Sequence, residues 1–177
     1  MKRIEDYVHI VGRDEVEAIQ ELAERVRGAR VVHINSTAYG GGVAEILKNL
    51  IPLAQSVGLR AEWRVLKAPP QFFNVTKAIH HGLQGNTSIE ISDEMRSIYL
   101  KVNDENASLL VPPGDVVVIY DYQPLPLINH RRSGKWVWRC HIDTSEPNPR
   151  VWSFIKPFVL KYDAAVFSLE RYIPRDL

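Results

Sequence analysis

His33-Ile34-Asn35-Ser36-Thr37-Ala38-Tyr39-Gly40-Gly41-Gly42-Val43-Ala44-Glu45 decides how the chain is read. Just upstream, Arg30-Val31-Val32-His33-Ile34 has the apolar, β-branched character of a short buried strand. Downstream, residues 43–56 place Ala44, Leu47, Leu50, Ile51 and Ala54 on one face at helical spacing. A polar turn ending in three glycines joins the two. A strand that runs through glycines into a helix start leaves backbone N–H groups bare at the positive end of the helix dipole. With no side chain in the way, an anionic or hydroxyl-rich ligand has close access. The run lacks the full dinucleotide fingerprint and the Lys-Ser/Thr of a P-loop. It stays open to two readings, a ligand-cradling loop or glycines that merely permit a tight turn.

The pattern extends in both directions. Residues 13–27 carry Val16, Ile19, Leu22, Ala23 and Val26 at helical spacing and stop near Gly28. Gly58 ends the helix that contains Pro52, and residues 59–66 read as a second strand, paired in parallel through a right-handed crossover. Pro69-Pro70 breaks the chain, and residues 72–84 are predicted helical with Phe72, Phe73, Ala78, Ile79 and Leu83 inward. Ser92 caps a further helix, with Asp93 and Glu94 in its first turn, that runs to about residue 106. Pro112-Pro113-Gly114-Asp115 makes a turn into Val116-Val117-Val118-Ile119-Tyr120, whose unbroken apolar character fits a central parallel strand covered on both faces. Residues 136–142 form the next predicted strand, 149–162 a helix disturbed by Pro157, and 164–168 a last strand. Alternation of this kind specifies an α/β class: one domain over residues 1–177, with a Rossmann-like, doubly wound, mostly parallel sheet and helices on both faces.

Bulk properties narrow the function. A chain of 177 residues with 45% hydrophobic and 24% charged residues suits one ordinary globular domain. A net charge of +1 supplies no field of one sign, so neither nucleic acid nor an anionic membrane is expected as partner. Cys140 is the single cysteine, which excludes an internal disulfide and a multi-cysteine metal site and reads as a buried, inert thiol. The charged start, Met1-Lys2-Arg3-Ile4-Glu5-Asp6, leads into no long apolar stretch. Neither a signal peptide nor a membrane span is expected, and the expected location is the cytoplasm.

Ligands on doubly wound sheets sit beyond the carboxyl ends of the strands. Three polar stretches converge there: the glycine turn, Asp121-Tyr122-Gln123-Pro124 and His141-Ile142-Asp143. His141 and Asp143 are two residues apart, so in an extended segment they point the same way. His141 reads as a donor, a base or a ligand contact, or else as a structural histidine bonding a loop carbonyl. Asp121 reads as a ligand for sugar hydroxyls or a cation, or as a turn former. Arg139, between apolar strand positions, needs a partner or the cleft. Trp136 and Trp138 share a side, as a sugar-stacking surface or as core. No other metal-ligating residue stands at suitable spacing around His141, so no metal is expected. His80 and His81 face about 100° apart on a helix, which argues against chelation and for a surface or interface role.

On these motifs the chain resembles the archaeal and bacterial trehalose glycosyltransferring synthases of retaining glycosyltransferase family four. The resemblance rests on the 33–45 stretch, on Phe72-Phe73-Asn74-Val75-Thr76-Lys77 with His80 and Leu83-Gln84-Gly85, and on Asp121 with Gln123-Pro124-Leu125-Pro126-Leu127-Ile128. It continues through Trp136-Val137-Trp138-Arg139-Cys140-His141-Ile142-Asp143 to Trp152, Phe158-Val159 and Tyr162-Asp163-Ala164, in order along nearly the whole chain. It implies a B-type fold, in which an N-terminal acceptor-side domain faces a C-terminal nucleotide-sugar domain across a cleft. The implied reaction joins glucose from a nucleoside diphosphate glucose to free glucose with retention, giving trehalose without metal or other cofactor. By resemblance Gly41 and Gly42 approach the donor's sugar and phosphates, and His141 hydrogen-bonds the transferring glucose. Asp121, Gln123, Arg139 and Asp143 then line the acceptor side, and His141 with Asp143 is the catalytic pair. Tyr120 stands where the family usually has His, and Tyr122 where Pro is common. On this resemblance residues 1–177 are the acceptor-side half and are expected to be inactive alone. The alternatives are a non-catalytic sugar- or protein-binding module, self-associating through its exposed cleft face, and one half of an enzyme completed in trans.

Overall fold

Strand β1 (Arg30–Asn35) pairs in parallel with β2 (Arg60–Val65) on one side and β3 (Val116–Tyr120) on the other. Strands β4 (Lys135–Cys140) and β5 (Ala164–Phe167) follow, giving an all-parallel sheet in the order β2-β1-β3-β4-β5. The computed structural model describes residues 3–111 and 114–177. The α/β doubly wound expectation holds. The chain first steps outward from β1 to β2, then returns past β1 to β3, so the strand order reverses between β1 and β3. Right-handed crossovers therefore place the helices of the two halves on opposite faces.

Helix α1 (Val8–Val11), after a 3-10 turn at Ile4–Tyr7, leads into α2 (Arg13–Glu24). Helix α3 (Gly42–Ser56) links β1 to β2, packs mainly on β2 and buries Ala44 and Leu47. The other face carries α4 (Pro70–Leu83), α5 (Asp93–Leu110), a 3-10 segment at Leu125–His130, and α6 (Pro149–Val159). Alternate residues of the central strands supply its floor: Val32 and Ile34, Val117 and Ile119, Trp136, Trp138 and Cys140 are all buried in one cluster. Ser92 caps α5 as expected, its hydroxyl accepting from the Met95 N–H at 3.2 Å.

Some boundaries differ from expectation. Helix α2 stops at Glu24, α5 continues to Leu110, α6 ends at Val159, and β4 ends at Cys140, short of His141. Pro112 and Pro113 of the expected turn lie outside the described residues. Among the described residues no helix is long and apolar enough to cross a membrane.

Gly82 sets how closely α4 approaches α6, because a Cβ there would lie 2.5 Å from Cγ2 of Val151. Val151 is itself fully buried in the core cluster. Gly82→Ala is expected to destabilise the fold by about 1–3 kcal/mol, the usual cost of overpacking. Urea denaturation should show that loss, and Val151→Ala in the same chain should recover part of it.

Candidate functional site

At the reversal between β1 and β3, the carboxyl ends of the strands open onto a cavity of about 250 Å³. One wall is the turn after β1, from Asn35 to Thr37 and on through Gly40, Gly41 and Gly42. The other is the loop after β3, Tyr120 to Gln123, with His80 of α4 and Ile142 closing the sides. Buried Asn35 holds the first wall: its Nδ2 donates to the Thr37 carbonyl at 2.8 Å, and its Oδ1 accepts from Trp63 Nε1 at 2.8 Å.

The glycines separate the two readings of the turn. Gly40 has φ +66° and Gly41 φ +156°, conformations that side chains rarely adopt, so the turn itself requires them. Gly42, the first residue of α3, has no such conformation, and a Cβ on it would meet nothing within 4 Å. Among the described residues nothing in the packing calls for glycine there, and its missing side chain keeps the cavity open toward the helix start. No side chain caps α3, whose first-turn N–H groups lack intrahelical partners.

Asp121 organises the opposite wall. It adopts the left-handed conformation at φ +58°, which Asp tolerates better than most residues. Strand β4 holds it there: its N–H donates to the Arg139 carbonyl at 2.9 Å, and its own carbonyl accepts from Trp138 Nε1 at 2.9 Å. Its Oδ1 accepts from the His141 N–H at 2.7 Å and lies 3.4 Å from His141 Nδ1. The His141 ring stacks on Tyr120, with centroids 5.7 Å apart and planes 12° apart. Behind Tyr120, its hydroxyl meets Nδ1 of buried His33 at 2.9 Å. Burial lowers the His33 pKa to about 4 and pushes the Tyr120 hydroxyl up to about 12.

The cavity thus brings Gly41, Gly42, Asp121 and Gln123 together, with His141 immediately behind Tyr120 and Asp121. Its lining includes none of Arg139, His141 and Asp143. The Arg139 guanidinium donates to the carbonyls of Cys140 and Val166 and to Ser168 Oγ, tying β4 to the end of β5. Asp143 is exposed, and its carboxylate accepts from the Ser145 N–H and hydroxyl, which lowers its pKa. The extended segment that would point His141 and Asp143 the same way is not formed, because the strand ends at Cys140 and the chain bends at Ile142. The carboxylate beside His141 is Asp121. Trp136 and Trp138 are 1% and 0% exposed, so both are core and neither offers a sugar-stacking surface. Cys140 is buried and its thiol pushed up to about 12, as an inert thiol should be.

His80 was expected at the surface or at an interface. The fold instead makes it a half-buried cavity wall against the Tyr122 ring, at 5.6 Å, with burial lowering its pKa. The available signal was its place four residues after buried Thr76, on the flank of α4 that meets the strand ends. Among the described residues no group of three or more His, Cys, Asp or Glu is disposed to hold a metal ion.

His33 makes stability depend on pH. Unfolded, it takes a proton near pH 6.5, whereas folded it resists one down to about 4. Between those values the unfolded chain binds more protons, so stability falls as pH drops through that window, by roughly 3 kcal/mol in full. Urea midpoints at pH 7 and pH 4.5 should show the fall, and His33→Gln should flatten it.

The model for the N-terminal domain of trehalose synthase matches residues 33–174. The chain is similar to the trehalose synthase of Pyrococcus horikoshii, at 47% identity over 99% of this chain and 43% of that protein. It is similar to that of Rubrobacter xylanophilus, at 44% identity over 98% and 43% respectively. A trehalose phosphorylase of Pleurotus pulmonarius is 27% identical over 98% of this chain and 27% of its own length. In fold it resembles the α,α-trehalose 6-phosphate synthase of Burkholderia multivorans, with a TM-score of 0.54 at 17% identity, over 81% of this chain and 41% of that one. The chain spans about 43% of the length of the trehalose synthases it matches.

Proposed function

Because the chain belongs to the trehalose synthase N-terminal domain family, we propose that its cavity is the acceptor-side half of a retaining glycosyltransferase site. The reaction is glucose transfer from a nucleoside diphosphate glucose to glucose. The observation that carries this reading is the pairing of an open glycine turn with Asp121 and Gln123 across one small cavity at the switch point of the sheet. The described lining offers hydroxyls, amides and one carboxylate, and it includes neither Lys nor Arg. That chemistry suits a neutral polyol, with Asp121 and Gln123 accepting from and donating to its hydroxyls.

Gly41 and Gly42 then admit the donor, whose phosphates gain from the bare N–H groups and dipole of α3. His141, its ring stacked on Tyr120 and its backbone N–H held by Asp121, hydrogen-bonds the transferring glucose. Arg139 and Asp143 act from outside the cavity, Arg139 by fixing the β4 and β5 ends and Asp143 by shaping the turn after His141. Attack on the face that the diphosphate leaves is an act of positioning and charge stabilisation, without metal. One glycine turn supplies too little counter-charge for a diphosphate, so the cationic grip comes from a second, C-terminal domain.

The 177-residue chain alone, given a nucleoside diphosphate glucose and glucose, is therefore expected to form no trehalose. Together with a C-terminal nucleotide-sugar domain from a trehalose synthase it is expected to form the disaccharide. Trehalose made by the purified chain alone would overturn the division of labour.

A further inference from the structure

Helix α5 lies outside the cavity, yet two of its buried residues reach the loop that forms one cavity wall. The Tyr99 hydroxyl donates to the Tyr122 carbonyl. One turn later, Asn103 Nδ2 donates to the Gln123 carbonyl at 3.1 Å and to the Tyr99 carbonyl at 2.9 Å. Both residues are 0% exposed. Buried polar groups are costly unless paired, and the pairing here goes to the backbone of two consecutive loop residues. Among the described residues Asn103 Oδ1 is buried without a partner, so the amide is retained at a cost that its Nδ2 contacts must offset. An apolar residue would fill the same place in a helix packed against the core.

We propose that Tyr99 and Asn103 are positioning residues for the site, a clamp that fixes the 121–123 loop so that Asp121 and Gln123 face the cavity. The proposal rests on the sugar-site reading above. Strand β4 anchors the loop at Asp121 alone, through the Arg139 carbonyl and Trp138 Nε1. The α5 pair anchors the next two residues from the opposite side. With both anchors in place, the left-handed Asp121 has one orientation available, the one in which its carboxylate accepts from the His141 N–H. Without the clamp, the Tyr122 carbonyl keeps the Leu125 N–H at 3.3 Å but the Gln123 carbonyl loses its Asn103 donor, so the loop holds Asp121 in the left-handed region less firmly.

The test compares Tyr99→Phe and Asn103→Leu with Val102→Ala, a core truncation on the same helix that leaves the loop contacts alone. Asn103→Leu also removes the unpaired Oδ1, so it is not expected to unfold the chain. Amide hydrogen exchange at His141 reports the Asp121 contact without any ligand, and D-glucose titration followed by amide shifts reports the cavity. Loss of one anchor is worth about a factor of ten. Both clamp variants should therefore speed His141 exchange and weaken glucose binding by about tenfold each, beyond any change that Val102→Ala produces. Unchanged His141 exchange in both variants, or effects that Val102→Ala reproduces, would overturn the clamp. If the unaltered chain shows no glucose shifts, the sugar-site reading falls, and the exchange arm alone decides the clamp.

Discussion

A chain carrying Trp138→Ala is expected to lose about 3–5 kcal/mol of stability, a large share of what a domain of this size possesses. Trp138 is 0% exposed at the centre of the core, beside the equally buried Trp136 on the same strand face. Its ring meets Phe167 edge-on at 5.5 Å, and its Nε1 donates to the carbonyl of Asp121. Truncation removes burial, aromatic contact and loop anchor together. Trp138→Phe separates them, because it keeps most of the burial while leaving the Asp121 carbonyl unpaired. It should cost about 1–3 kcal/mol, the penalty of one orphaned buried acceptor plus a small cavity. Chemical denaturation measures both. A Trp138→Ala chain with the unaltered midpoint would show that the tryptophan is not the core keystone its burial implies.

Asp121→Ala is expected to have the largest effect on ligand binding. The substitution removes the carboxylate of a cavity-lining residue, which accepts from the His141 N–H, and it puts a residue less suited to the left-handed region at φ +58°. Loss of a charge-assisted contact is worth about 1.5–3 kcal/mol, or roughly tenfold to more than a hundredfold in glucose affinity. Stability should fall as well, by about 1–3 kcal/mol, because the His141 N–H loses its acceptor. Asp121→Asn keeps the shape, one acceptor oxygen and tolerance of the left-handed region. It should therefore fold nearly as well as the unaltered chain and still bind glucose weakly. Equal glucose affinity in all three chains would remove Asp121 from the site.

The two substitutions act on one physical unit. Trp138 belongs to the core and Asp121 to the cavity, and a single hydrogen bond joins them. The core therefore sets the geometry of the site directly. The same is true of Tyr120, whose hydroxyl is tied to buried His33 while its ring carries the stack with His141.

By itself the sequence determined what depends on local pattern. Alternating apolar segments specified the strands, the helices and a doubly wound parallel sheet, whereas the strand order that puts the switch point between β1 and β3 belongs to the fold. The sequence also located the carboxyl-end loops that hold Gly41, Gly42, Asp121 and Gln123 in one cavity, because strand ends on a parallel sheet necessarily share an edge. What it left undecided was side-chain direction wherever the chain leaves regular structure. The pairing of His141 with Asp143 assumed an extended segment, and the strand ends one residue before His141. Arg139 lies on a strand that could send a long side chain either way, and the Cys140 and Val166 carbonyls with Ser168 Oγ fixed it. His80 was indistinguishable from a surface histidine until α4 was packed against the loop of Tyr122. The buried hydrogen bonds of Tyr99 and Asn103 connect residues 23 and 20 positions apart, contacts that no local period encodes. Periodicity reports which face of an element meets the core, whereas the partner that a polar side chain finds there depends on which segments the tertiary fold brings beside it.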